Sequence, residues 1–134
     1  MSKFTEKAQY YRDVKDRHYN CAQSVFLPFA EAKGLDVETA YKISANFGGG
    51  MKRKSVCGAV TGGLMALGLY GMTDEEALAA YHDKVRSTHD GLLDCGPLLE
   101  RNAAMGGDKK QHCDAIVCEC AGYVEEILKE KGLL

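Results

Sequence analysis

From Val56 to Tyr70 the chain carries no charged side chain. Ser55 stands where an N-cap would accept from an orphan N–H of the first turn, and Gly71 suits the left-handed position just past a C-terminus. Apolar character all round a helix means burial by its surroundings rather than a place on the surface. Spanning a bilayer takes about 20 apolar residues, so this run is too short. Gly58 and Gly62, like Ala59 and Gly63, lie four apart, which strips side chains from one face and lets a second backbone approach. The run therefore predicts a central buried helix over 56–70. Just upstream, Gly48, Gly49 and Gly50 form a hinge free of the usual φ limits. It leads into the basic turn Lys52-Arg53-Lys54.

The remaining segments read as helices packed around that one. Ala8, Tyr11 and Val14 recur at helical spacing and predict an amphipathic helix over 5–18. Asn20 caps a second helix that Gly34 ends, with Pro28 expected to bend or interrupt it. Asp36 opens a third from Val37 to Phe47, with Val37, Ala40, Ile43 and Phe47 on its apolar stripe. Thr73 and Glu76 have capping-box spacing and open a fifth, running to about Thr88. Beyond His89 glycines punctuate the pattern, around a short helix begun by Pro97 at its first position. The last helix runs from about Lys110 to Lys131, with Ile116, Cys120, Tyr123, Val124, Ile127 and Leu128 facing the core. No repeat or linker interrupts the chain. The expected fold is one all-α domain over 1–134, a compact bundle of six or seven helices.

The 134 residues include 17 basic and 19 acidic side chains, a net charge of −2. That balance offers no whole-chain attraction for nucleic acid or a membrane surface. Without an apolar signal core at the start, the chain reads as cytoplasmic. Six cysteines are many for such a chain. In the cytosol they point to metal or redox chemistry rather than a disulfide framework, and no CxxC pair is present. Cys21, Cys57, Cys95 and Cys113 each fall at or beside an expected helix N-terminus, where the positive helix end favours thiolate. Cys57, in a first turn with three cations upstream, is the expected site of highest reactivity. Cys118 and Cys120 fall within a helix. His112 is adjacent to Cys113, but neighbours on a helix point apart.

Asn20-Cys21-Ala22-Gln23-Ser24-Val25, then Phe47-Gly48-Gly49-Gly50-Met51, then Cys57-Gly58-Ala59-Val60-Thr61-Gly62-Gly63, with Cys95 and Cys113 following, resemble the C-GCAxxG-C-C family. Its members are small proteins expected to be redox-active, named for four cysteines and a Cys-Gly-Ala-x-x-Gly motif. The resemblance runs from about Tyr19 to Ile127. It implies that Cys21, Cys57, Cys95 and Cys113 are the family's four cysteines and that Cys118 and Cys120 are structural extras. The stretch after Met51, often glycine-rich in the family, is Lys52-Arg53-Lys54 here.

Three functions are compatible with these residues. In the first, the four cysteines carry thiol–disulfide exchange or electron transfer with a partner protein or small thiol and need no cofactor. In the second, the same four thiolates hold an iron–sulfur cluster or Zn²⁺, although their spacing matches no standard ligand pattern. In the third, Gly48, Gly49 and Gly50 with the basic turn form a binding site for an anion. A homo-oligomer is compatible with each.

Overall fold

The computed structural model describes residues 2–134. Among them seven helices follow one another: α1 (Lys3–Asp13), α2 (Cys21–Lys33), α3 (Val37–Ser44), α4 (Gly58–Leu69), α5 (Glu75–Thr88), α6 (Cys95–Ala104) and α7 (Lys109–Glu130). The fold is all-α. Helices α2 and α4 make the most extensive pairing, and α7 packs on both. The glycines of α4 explain how closely that pair approaches. A Cβ on Gly62 would stand 2.6 Å from the Ala22 carbonyl oxygen, and one on Gly58 3.2 Å from the Ala22 nitrogen. Gly63 serves another face, where the Tyr81 ring fills the space a side chain would need. The centre is nonetheless shared. Every residue of α2 from Ala22 to Ala30 is buried, whereas Gly68 of α4 is exposed.

Pro28 does not interrupt α2, which runs unbroken to its left-handed cap at Gly34. A proline inside a helix costs about 3 kcal/mol, and nine consecutive buried residues offset it by packing. Other boundaries move for identifiable reasons. Helix α1 stops at Asp13, not residue 18, because Val14 turns extended. The third helix gives way to a 3-10 turn at Ala45–Phe47, and Ile43 is exposed while Ser44 is buried with its hydroxyl on the Ala40 carbonyl. Asp74 rather than Thr73 caps α5, accepting from the Ala77 N–H.

The shifts at α4 and α6 have one cause. Val56 and Asp94 form an isolated antiparallel bridge, flanked by hydrogen bonds from the Cys57 N–H to Leu93 O and from the Cys95 N–H to Ser55 O. Extended backbone at Val56 delays α4, so Cys57, not Ser55, is its capping residue. Helix α6 begins at Cys95, which leaves Pro97 third in the helix rather than first. There its missing N–H is one of the orphan donors and nothing is lost. No helix among the described residues is long and apolar enough to cross a membrane.

Candidate functional site

Cys21, Cys57, Cys95 and Cys113 all line one cavity of about 430 Å³. Each arrives on a different helix. The Asn20 side chain accepts from the Gln23 N–H while Gln23 reaches back to the Asn20 N–H, and this capping box fixes Cys21 as the first residue of α2. Asn20 also donates to Ala45 O, tying that helix start to the chain entering the glycine turn. The Val56–Asp94 bridge sets Cys57 and Cys95 on adjacent segments. Cys113 lies one turn into α7. Leu98, Leu99 and Ile116 supply an apolar wall. Cys118 and Cys120 do not line the cavity; burial pushes both thiols up.

Cys21 and Cys113 form a thiol pair. Interaction with Cys113, with burial, pushes the Cys21 thiol up well beyond the ordinary range. The same interaction lowers Cys113 to about 7 against the cost of burial, helped by Arg12 and Lys109. The pair thus behaves as one thiol and one thiolate near neutral pH. Arg12 supports it from α1. Its Nε is 2.7 Å from Asp114 Oδ1, its Nη1 donates to Tyr19 O at 3.3 Å, and the same nitrogen is 3.9 Å from the Cys21 sulfur. Lys110 holds the other oxygen of Asp114.

Cys57, the expected site of highest reactivity, is buried. Burial pushes its thiol up to about 11, even though the amides of Ala59 and Val60 act in the opposite sense. Lys52 and Lys54 line the same cavity as Cys57. At Cys95 burial raises the thiol, and Lys109 and Lys54 oppose that rise. Of the three turn glycines only Gly49 lines the cavity. Gly48 sits against the Asn20 side chain, and Gly50 is left-handed with no room for a side chain beside Ser55 and Cys95.

The family model for C_GCAxxG_C_C, "Putative redox-active protein", matches residues 19–127. The chain belongs to that family. Neither curated proteins nor solved structures gave a match. In this chain Cys21, Cys57, Cys95 and Cys113 surround one cavity, and the small residues Gly58 and Gly62 let α4 reach α2.

A thiolate-held cluster or zinc fits this arrangement poorly. Among the described residues no three His, Cys, Asp or Glu side chains are grouped to hold a metal ion. Two residues at the cavity had no sequence signal, and a third was set aside on helix geometry. Arg12 depends on Asp114, 102 positions away. Lys109 reads as an ordinary surface lysine. His112 lines the cavity together with Cys113 despite their adjacency, its ring set edge-on to His89, which is bonded to Glu119.

Proposed function

We propose that this protein is a thiol–disulfide oxidoreductase in which Cys113 is the attacking thiolate and Cys21 the resolving thiol. One observation carries the reading: Cys21 and Cys113 line one cavity, with the Arg12 Nη1 3.9 Å from the Cys21 sulfur. The thiolate is the nucleophile in exchange, and the best attacking thiol has a pKa near the ambient pH. Cys113 attacks one sulfur of a substrate disulfide, forming a mixed disulfide and releasing the other half as thiolate. Cys21 then gives its proton to that thiolate, attacks the Cys113 sulfur and releases the second half. The products are a Cys21–Cys113 disulfide, one thiol and one thiolate, so two electrons pass from the pair to the substrate. A reducing compartment such as the cytosol would return the pair to the dithiol state.

The test is to react the fully reduced protein with less than one equivalent of a small disulfide, quench by alkylation and map the products. The expected first product links Cys21 to Cys113. A first linkage confined to Cys57 or Cys95, or none at all, overturns the assignment. Iron and zinc analysis of anaerobically purified protein is expected to give less than one metal per chain, and stoichiometric metal lost on Cys113→Ser would replace this reading with a ligand site.

A further inference from the structure

The cavity is far more basic than the chain that forms it. Acidic residues outnumber basic ones 19 to 17 overall, yet Arg12, Lys52, Lys54 and Lys109 line the cavity and no carboxylate does. Arg12 is committed to Asp114. Lys52, Lys54 and Lys109 have no carboxylate partner among the described residues.

Two of these lysines are placed there by strained backbone. Gly49, Gly50, Met51 and Lys52 are four successive left-handed residues, with φ of 62°, 65°, 59° and 58°, and Lys54 returns to 58°. Left-handed conformation is unfavourable for a residue with a side chain. Three such residues in one turn persist only where surrounding structure fixes them. The fixing bonds are Ser55 N–H to Gly50 O at 2.8 Å and Cys95 N–H to Ser55 O at 2.7 Å. The turn that carries Lys52 and Lys54 is thereby fastened to the segment that carries Cys95. A solvated charge run would need neither the strain nor the fastening. The cavity, at about 430 Å³, has small-molecule dimensions.

We propose that the four-thiol cavity takes a low-molecular-weight disulfide bearing carboxylates, with Lys52, Lys54 and Lys109 holding its anionic ends while the sulfur–sulfur bond meets Cys113. The inference rests on the thiol–disulfide reading and adds the substrate class to it. Exchange follows the balanced sequence above, and the departing thiolate leaves into a ring of cations that stabilises its charge. The three lysines act as point charges around the substrate, so their effect is on capture and should weaken with salt.

The test compares three aliphatic disulfides of similar length: dithiodipropionate, which is dianionic, hydroxyethyl disulfide, which is neutral, and cystamine, which is dicationic. Each rate with the reduced protein is divided by the rate of the same disulfide with dithiothreitol, removing intrinsic reactivity. At low ionic strength the expected normalised order is dianion, neutral, dication, with at least about tenfold between the first and last. In K52Q/K54Q that ratio should shrink to within about threefold, and in the wild type 0.5 M salt should shrink it likewise. Equal normalised rates for all three probes, or a preference that persists in the double variant, overturn the substrate class and leave thiol exchange standing. Failure of every probe to react overturns thiol exchange instead. The anionic class is then decided by calorimetry with thiodipropionate, a thioether that thiols cannot cleave. Binding to the wild type that K52Q/K54Q loses sustains it, and no binding ends it.

Discussion

The Nη1 of Arg12 lies 3.9 Å from the sulfur of Cys21, although the two residues belong to different helices and are joined by an irregular loop. Burying a guanidinium against a thiol needs compensation, and Asp114 provides it at 2.7 Å. The arrangement places a permanent cation beside the Cys21–Cys113 pair and holds it in position.

Removing that cation should therefore cost thiolate. Arg12→Gln is expected to raise the Cys113 pKa and slow its alkylation at pH 7 by about three- to tenfold, within the range an adjacent opposite charge exerts. Arg12→Lys keeps the charge but not the fork and should fall between the two. Site-resolved mass spectrometry of iodoacetamide-labelled protein reads the effect. An unchanged Cys113 rate in Arg12→Gln would leave the interaction with Cys21 as the main cause of its acidity.

The pH dependence follows from the same pair. Cys113 loses its proton near 7, and the thiolate is the reactive form, so its labelling should rise as pH increases through 7 and level off above 8. Cys21, Arg12, Lys109 and Asp114 are the groups whose charges or bonds set that midpoint, with His112 also lining the cavity. Cys57, pushed up to about 11, should still be labelled slowly at pH 9. Faster labelling of Cys57 than Cys113 at pH 7 would reverse the assignment.

Much of the fold is local and therefore legible. Asn20, Asp36, Gly34 and Gly71 mark helix ends through chemistry confined to a few neighbouring residues, and the uncharged run after Ser55 identifies α4. The clustering of four cysteines at helix starts likewise survives errors of one or two residues. What the linear pattern cannot carry is long-range pairing. The Val56–Asp94 bridge joins segments nearly forty residues apart, and it decides that Cys57 caps α4 and that Cys95 begins α6. Cys57 shows the same limit in its chemistry. A helix end favours thiolate, but only the folded packing reveals that burial outweighs it.

Packing between α2 and α4 gives a stability test with opposite signs at two glycines. Gly62→Leu would drive a side chain into the Ala22 carbonyl, where even a Cβ stands 2.6 Å away, and should destabilise by about 1–3 kcal/mol or more. Gly68 has open space around its would-be Cβ and lies near the end of the same helix. Gly68→Ala should stabilise by about 0.5 kcal/mol through helix propensity. Urea melts of the two variants check the pair, and an unchanged midpoint for Gly62→Leu would refute the close approach of backbones.

The division of labour between Cys21 and Cys113 predicts an asymmetry between their serine variants. Cys21→Ser keeps a hydroxyl that can donate to the Cys113 thiolate, so attack on a disulfide survives while resolution is lost. This variant should accumulate a stable mixed disulfide at Cys113, visible as one added half-molecule of the probe in the intact mass and removed by dithiothreitol. Cys113→Ser leaves Cys21 with its thiol pushed up by burial and near Cys57 and Arg12, and it should form no adduct at neutral pH on the same timescale. The wild type should show neither adduct, because Cys21 resolves it. If Cys113→Ser traps the probe and Cys21→Ser does not, the roles are exchanged, and Cys21 is the residue that meets the substrate.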